Sequence, residues 1–287
     1  MKVGCTFPHD DIGNDPAAIR DFAQAAEALG YSHIVLYDHV LGAPHGGRTP
    51  PLSGPYTEKN AFHEIFVTLG FLAAVTTRIE LCTGIVILPQ RQTVLVAKQA
   101  AEVDLLSRGR LRLGVATGWN FVEYEGLNQG WADRGARFEE QVELLRRLWT
   151  EPVIDYTGRF HRIDRAGILP LPGREIPIWF GGAKDVALRR AARMGAGFIF
   201  SRPDAPASVP VLRRYVAECG RDPDAFGIEG NLNYSAGPEK WGRHLEVWRQ
   251  LKASHVCIRT MGEQPIGPAA QMQALRRYAE GVGLKPG

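Results

Sequence analysis

Residues 79–117 read IELCTGIVILPQRQTVLVAKQAAEVDLLSRGRLRLGVAT. An apolar, β-branched run at 79–87 is followed by a helical pattern over 92–106, a turn that contains Gly109, and a second apolar run at 111–116. Two short apolar runs joined by one helix are typical of a β-α-β unit, whose parallel strands are buried on both faces. This stretch therefore predicts two neighbouring strands of a parallel sheet.

The same alternation extends over the whole chain. Strands are predicted at 2–7, 33–37, 79–87, 111–116, 176–180, 197–201, 226–233 and 255–259, with polar side chains nearly absent inside them. Helical stripes are predicted at about 16–29, 61–75, 92–106, 133–149, 184–194, 206–219, 241–251 and 268–282. Eight strands and eight helices in alternation predict an α/β fold, a single closed (β/α)8 TIM barrel that spans residues 1–287 as one domain. A doubly wound sheet would open with a glycine-rich turn, whereas this chain has Pro8-His9-Asp10 after the first strand.

Two segments exceed a minimal barrel. Residues 40–60 follow the second strand and are rich in Gly and Pro, and we expect them to cover a substrate, because the loops after barrel strands build the active site. Residues 150–175 follow a helix and precede the fifth strand. Their short alternating runs predict a small hairpin and a loop on the outside of the barrel.

Composition narrows the class of protein. The 287 residues carry 34 basic and 31 acidic side chains, a net charge of +3 that is too balanced to indicate a nucleic-acid partner. The cysteines Cys5, Cys82, Cys219 and Cys257 show no paired spacing, which is typical of a reducing compartment. No stretch is apolar for long enough to be a signal peptide or a membrane span. We expect a cytoplasmic protein that does not bind membranes.

Polar residues collect where the predicted strands end. Several chemistries can be set aside, because the chain has no HExxH, paired-cysteine, Walker or Gly-x-Ser-x-Gly motif. His9 and His39 could bind a metal with Asp10 or Asp38, but the His-x-His pair usual on the first strand of barrel hydrolases is missing. We therefore expect no metal.

The ordered set of strand-end motifs resembles the luciferase-like monooxygenase superfamily, in particular its branch that uses the deazaflavin coenzyme F420. The motifs that carry the resemblance cover residues 1–200 and are Ile34–Asp38-His39, CTGIVILP at 82–89, Lys98-Gln99-Ala100, LLSRGRL at 105–111, LGVATGW at 113–119, RGARFEE at 134–140, Leu148-Trp149, Tyr156-Gly158-Phe160 and PIWFGG at 177–182. Beyond residue 200 only the architecture matches. The family's Gly-Asp-Gly before the sixth strand is Gly195-Ala196-Gly197 here, so a carboxylate is lost.

The resemblance implies a ring cofactor over the C-terminal mouth of the barrel. It implies a cis peptide at Gly84–Ile85 in a bulge of the third strand, and a catalytic His39 that donates a proton. The cofactor contacts that it implies are Asp38, Thr83, Gly84, Ile85, Thr117, Gly118, Trp119, Gly181, Gly182 and Ala183. Lys184 and Arg202 are added because these cations lie near the fifth and sixth strand ends, where they suit the phosphate and carboxylates of the F420 tail. Residues 181–183 open a helix, whose free N–H groups suit a phosphate. Candidate substrate contacts, chosen by position, are His9, Tyr56, Asn120 and Arg259.

The sequence thus favours hydride transfer between F420 and a small organic substrate. An FMN-dependent monooxygenase that uses O2 is the alternative within the family. A non-catalytic protein that binds flavin or F420 is the alternative of another class, and the intact Asp38-His39 pair argues against it. Relatives of this kind are often dimers, so we expect a homodimer.

Overall fold

The computed structural model describes residues 1–202, 205–262 and 266–286. Within them, eight parallel strands close into a barrel, which confirms the predicted fold. The third strand is interrupted and is numbered as two segments. The barrel strands are β1 (Lys2–Thr6), β2 (His33–Leu36), β3 (Glu80–Thr83) with β4 (Val86–Ile87), β5 (Leu111–Ala116), β8 (Ile178–Gly181), β9 (Gly197–Ile199), β10 (Gly227–Asn233) and β11 (His255–Arg259).

Strand pairing fixes the barrel's closure and its open end. Neighbours pair in the order β3-β2-β1-β11-β10-β9-β8-β5, and β3 pairs with β5 to close the ring. The register places Leu36 opposite Thr83, and Asn233 opposite Arg259. The carboxyl ends of all these strands therefore meet at one mouth, where the loops that follow them converge.

Helices surround the barrel. They are α1 (Pro16–Ala28), α2 (Ile65–Val75), α3 (Thr93–Leu106), α4 (Phe121–Gly126), α5 (Arg134–Thr150), α6 (Asp185–Met194), α7 (Val209–Glu218), α8 (Pro238–Gln250) and α9 (Pro268–Val282). At the start of α1 the Asp15 side chain accepts from the N–H of Ala17 at 2.9 Å, and Gly30 adopts φ +86° just after the helix. The short helix α4 was not predicted. No helix in the described ranges is long and apolar enough to cross a membrane.

The segment before the fifth barrel strand forms the predicted hairpin. Strands β6 (Ile154–Thr157) and β7 (Arg162–Ala166) pair with each other in an antiparallel sheet, separate from the barrel sheet. His161 ties the hairpin to the helices outside the barrel, through Thr93 Oγ1 at 2.6 Å and Glu140 Oε1 at 2.8 Å.

Polar side chains are more frequent inside the barrel than the sequence analysis expected. Five charged or imidazole side chains form one group in its lower half, namely His33, Glu80, Arg112, Glu229 and His255. They lie at or near the N-terminal ends of their strands, and four of the five are buried. They pair with one another, which is how charged groups are accommodated inside a protein.

Candidate functional site

A cleft of about 320 Å³ lies at the barrel mouth. Residues from the ends of most barrel strands and from the segment 40–60 line it. Of the residues predicted from the sequence, it brings together Asp38, His39, Tyr56, Gly84, Ile85, Gly118, Trp119 and Arg259. It adds Tyr37, Pro55, Ile87, Ser201 and Asn231, which sequence reasoning did not single out.

The break between β3 and β4 forms one wall of this cleft. The Gly84–Ile85 peptide is cis, as the family resemblance implied. The N–H of Gly84 donates to Leu36 O at 2.7 Å, and a Cβ at position 84 would come within 2.2 Å of Val35 Cγ1. Only glycine fits this approach, so the wall presents backbone rather than side chain beside Ile85.

A second glycine completes the wall. Gly118 has φ +64°, and a Cβ there would lie 2.7 Å from Ile87 Cγ2. Both the left-handed conformation and the close approach require glycine. The cleft is thus flanked by bare backbone at Gly84 and Gly118, which suits a flat ring that packs closely against it.

Asp38 holds this wall in place. Its carboxylate accepts from the backbone N–H of Ile87 at 2.9 Å and from Arg91 Nε and Nη2 at 3.1 and 2.5 Å. Its side chain is buried, and the negative charge is neutralised within the protein. Asp38 therefore lines the cleft, but its carboxylate is committed to Arg91 and to the end of β4.

His39 lies in an aromatic cage at the edge of the cleft. Its ring packs edge-on against Tyr56 and Phe62, with centroids 5.0 and 4.7 Å apart, and is tilted against Trp119 at 5.7 Å. Its Nδ1 lies 3.3 Å from Glu123 Oε1. One ring nitrogen is thus held by a carboxylate, an arrangement that fixes the orientation and the tautomer of an imidazole.

Glu123 is a functional candidate that the sequence did not reveal. It lies on α4, and its side chain is buried. Besides facing His39, Oε1 accepts from the backbone N–H groups of Val40 and Leu41 at 2.8 and 3.1 Å. The signal that could have found it is Asn120, whose side chain accepts from Val122 N at 3.1 Å and caps the short helix.

The segment 40–60 closes over the cleft. A Cβ on Gly54 would lie 2.3 Å from Trp119, so the backbone rests directly on the indole. Between this segment and the barrel lies a hollow of about 130 Å³, lined by His39, Val40, Gly42, Tyr56, Thr57, Asn60, Phe62 and Asn120. His39 and Tyr56 line both spaces, so the hollow and the cleft are continuous.

A smaller hollow of about 40 Å³ adjoins the cleft on its other side. It is lined by Gly182, Ala183, Leu188, Phe200, Ser201, Arg202, Ala205 and Ser208, and it shares Ser201 with the cleft. It lies beside the first turn of α6, where the N–H groups have no partner within the helix. These N–H groups and the Arg202 guanidinium suit an anion of phosphate size.

The remaining predicted residues do not line these spaces. Thr83 is buried behind the bulge, where its hydroxyl bonds to Gly114 O at 2.7 Å and accepts from Gly114 N at 2.8 Å. The Thr117 carbonyl accepts from the Tyr124 hydroxyl at 2.7 Å. Gly181 packs on Ile85, and Lys184 is exposed at the start of α6.

His9 is also outside the cleft. It is 1% exposed and stacks on Phe62 with centroids 5.0 Å apart. Burial, with smaller contributions from His63 and His39, lowers the pKa of His9 to about 3. His9 is therefore neutral. It follows the first strand and packs against Phe62, which in turn packs against His39.

The model of one protein family matches residues 2–278, and its description is luciferase-like monooxygenase. An uncharacterised protein of Mycobacterium tuberculosis is 37% identical over 175 residues, which cover 60% of this chain and 61% of that relative's length. An F420-dependent glucose-6-phosphate dehydrogenase of Nakamurella multipartita is 30% identical over 247 residues, with 82% of this chain and 69% of the relative covered.

Solved structures are similar over nearly the full length. An F420-dependent secondary alcohol dehydrogenase in complex with an F420-acetone adduct superposes with a TM-score of 0.77, at 15% identity and 98% coverage of both chains. The monooxygenase RslO1 from Streptomyces bottropensis gives a TM-score of 0.74, at 20% identity and 98% coverage of both chains. At these identities the likeness concerns the fold.

Proposed function

Because the chain belongs to the luciferase-like monooxygenase family, we propose that it is an oxidoreductase that transfers a hydride between coenzyme F420 and a small organic substrate. One observation carries this proposal. Three spaces adjoin in a row at the mouth: the hollow under the segment 40–60, the cleft, and the hollow beside α6. They have the sizes and linings that a substrate, a flat ring and a phosphate require.

The cleft and the hollow beside α6 would hold the cofactor. The bare backbone at Gly84 and Gly118 leaves room for a ring, and Ile85 offers it an apolar contact. Arg202 and the N-terminus of α6 would bind the phosphate of the cofactor tail. The F420 tail also carries glutamate carboxylates, so exposed cations such as Arg202 and Lys184 favour F420 over FMN.

The hollow under the segment 40–60 would hold the substrate. Its volume of about 130 Å³ is close to that of an engineered cavity of about 150 Å³ that binds benzene, so the reacting part of the substrate is small. Its lining combines the Tyr56 and Phe62 rings with the amides of Asn60 and Asn120. Such a surface suits an organic molecule with one or two polar groups.

The chain's own contribution to the chemistry is a proton and the exclusion of water. Bound F420 supplies or accepts a hydride at its ring carbon, which is chemistry of the cofactor. His39 lies where the cleft meets the substrate hollow and would give a proton to the substrate, or take one from it, at the ring nitrogen that does not face Glu123. Glu123 would stabilise the protonated imidazole.

Binding of F420 and of FMN to the purified apoprotein, followed by absorbance, tests the proposal. We expect F420 to bind more tightly than FMN, and Arg202→Gln to weaken F420 binding about tenfold, since a charged hydrogen bond contributes about 1.5–3 kcal/mol. Arg20→Gln, at an exposed position on α1 that lines none of the three spaces, is the matched control. Micromolar binding of FMN with no binding of F420 would favour the FMN-dependent monooxygenase instead.

F420 binding without hydride transfer to any carbonyl, alkene or imine compound would favour a binding protein without turnover. The homodimer stays a prediction.

A further inference from the structure

The lower half of the barrel interior contains a polar cluster that the proposed reaction does not use. Its members are His33, Glu80, Arg112, Glu229 and His255. TIM barrel interiors are normally filled by layers of branched apolar side chains. Four of the five are buried, and Glu80, whose side chain is 27% exposed, reaches solvent at the barrel floor.

Arg112 is the cation at the centre of this cluster. Its Nε donates to Glu80 at 3.0 Å, its Nη1 donates to Glu229 at 2.6 Å, and its guanidinium stacks on Trp179 at 4.3 Å from the ring centroid. Although burial raises the pKa of Glu229, the Arg112 guanidinium outweighs it and holds that pKa well below its usual range. The carboxylates are thus charged and already have their counter-ion, so the cluster does not call for a metal.

Two serine–histidine pairs orient proton-accepting nitrogens into the cluster. Ser32 donates its only hydroxyl proton to a β1 carbonyl at 2.9 Å, so the 2.8 Å contact to His33 must have Nδ1–H as its donor. Ser254 donates its hydroxyl proton to a β10 carbonyl at 3.1 Å, so in the 2.9 Å contact between Ser254 and His255 the donor is again Nδ1–H of the histidine. A neutral ring in this tautomer carries its lone pair on Nε2.

These lone pairs have no hydrogen-bond donor within the part of the chain that the structure describes. The His33 and His255 rings face each other edge-on, with centroids 5.4 Å apart. His33 Nε2 lies 3.6 Å from Glu229 Oε2, longer than a hydrogen bond. Buried acceptors of this kind are normally satisfied by internal water or by a proton.

A line of exchangeable groups leads from this cluster to the cleft. The Cys257 thiol lies within 4.8 Å of both His33 and Glu229. Thr6 Oγ1 is 3.4 Å from Cys257 Sγ, and the Thr6 hydroxyl lies close enough to the Tyr37 hydroxyl to oppose the rise in the pKa of Tyr37 that burial causes. Tyr37 also accepts from Asn231 Nδ2 at 3.4 Å, and both of these residues line the cleft.

We propose that this line, the interior column, conducts protons between the barrel floor and the cleft, with Tyr37 as the group that delivers them. The column consists of His33, Cys257, Thr6 and Tyr37, and the charged pair of Arg112 and Glu229 holds its lower end. Every column member both donates and accepts a proton, as a relay requires.

The inference rests on the proposed function, because hydride transfer to a closed site is accompanied by proton exchange at the substrate and at the ring. His39 lies on the substrate side. Tyr37 lies on the other side, next to the bulge, where a Cβ on Gly84 would be 3.7 Å from its ring. Since the segment 40–60 and a bound ring would cover the mouth, the floor is the remaining route for protons on this side.

Each step moves one proton and no electrons. The Tyr37 hydroxyl gives its proton to the acceptor in the cleft and takes one from Thr6 Oγ1, which takes one from the Cys257 thiol. The Cys257 thiol then regains a proton from the His33 side through internal water. That proton comes from the solvent beside Glu80. Burial raises the pKa of Tyr37 and of Cys257, so both groups remain protonated between turnovers. Reversing the order carries protons outward.

Thr6→Val tests the column without touching the cleft. The single-turnover rate of hydride transfer should fall about tenfold, while Tyr37→Phe should cost about 10²-fold, the lower end of what a positioned proton donor contributes. The solvent isotope effect should rise in Thr6→Val, and F420 affinity should stay unchanged. Thr6→Ser keeps the hydroxyl and should restore the rate. Thr260→Val, which removes a buried hydroxyl outside the column, should change nothing.

A second measurement needs no cofactor. Nitrogen-15 NMR of labelled histidine in the apoprotein should show His33 and His255 protonated at Nδ1 and unprotonated at Nε2. The column is overturned if the histidines are Nε2–H tautomers, or if Thr6→Val and wild type have equal rates and equal isotope effects. In either case, F420 binding and turnover by the wild-type protein would leave the proposed function standing. A wild-type protein that binds no F420 overturns the proposed function, and the column's role in it as well.

Discussion

Lowering the pH below 6.5 should destabilise the protein steeply, because two buried histidines must be neutral for the chain to fold. His9 is 1% exposed and His255 is 9% exposed. The pKa of each is lowered from 6.5 to about 3, chiefly by burial, assisted by His63 at His9 and by Arg112 at His255. Between these two pH values the unfolded chain binds protons that the folded chain does not. The stability that the neutral forms of His9 and His255 contribute is therefore fully present above pH 6.5 and is lost as the pH falls towards 3.

The magnitude follows from the size of the shifts. A difference of one pKa unit corresponds to 1.36 kcal/mol, so each histidine lowers the free energy of unfolding by about 1.4 kcal/mol per pH unit inside the window. The two together contribute about 2.7 kcal/mol per pH unit, which is a large part of a typical total stability of about 5–15 kcal/mol.

Urea unfolding at pH 7.5, 6.5, 5.5 and 4.5 measures this slope. His255→Gln should reduce the slope between pH 5.5 and 4.5 by about 1.4 kcal/mol per pH unit, since one titrating group is removed. Thr260→Val should keep the wild-type slope. The reasoning is refuted if wild type and His255→Gln lose stability in parallel over this range.

The other predictions concern the mouth. His39→Ala should lower single-turnover hydride transfer by about 10²–10⁴-fold and leave F420 affinity nearly unchanged, and recovery of the rate at saturating cofactor would contradict this. Glu123→Gln should slow the same step less than His39→Ala and shift its pH profile, whereas Glu123→Asp should act more mildly; an unshifted profile would exclude a positioning role. Asp38→Asn should lower the free energy of unfolding by about 1–3 kcal/mol in urea titrations, because Arg91 loses one of its two carboxylate partners, and no measurable loss would show that the pair is not needed.

The barrel could be predicted from the sequence because its signals are local. The observed strands start and end within two residues of the expected ones, since each is a short apolar run bounded by a helix cap or a glycine. The wall at Gly84 and Gly118 was placed by the resemblance to the luciferase-like family, and the convergence of strand ends on one mouth agrees with that placement. The strand positions themselves depend only on neighbours in the chain.

The parts that the sequence did not reveal depend on distant partners. Asp38 was expected at a ring, but its carboxylate is bound by Arg91, 53 residues further along. Glu123 lies on a helix of six residues, too short for a periodic pattern. His9 was a candidate at the mouth and is instead packed beneath Phe62, because the segment after β2 folds back over it.

The interior cluster was missed for another reason. A strand that is buried on both faces was expected to be nearly all apolar, so Arg112 and Glu229 were not singled out. Their positions place both side chains inside the barrel, where they neutralise each other. This ion pair joins β5 to β10 through two residues that are 117 positions apart in the sequence. The sequence of either strand alone therefore does not indicate it.

A crystal structure of the protein with F420 tests the central claim most directly. The account predicts the ring in the cleft against the Gly84–Ile85 peptide and Gly118, its phosphate beside Gly182, Ala183 and Arg202, and His39 facing the space above the ring. F420 bound elsewhere, for example in the groove between α3 and the hairpin, or a phosphate that does not contact the start of α6, would contradict the assignment of this mouth as the active site.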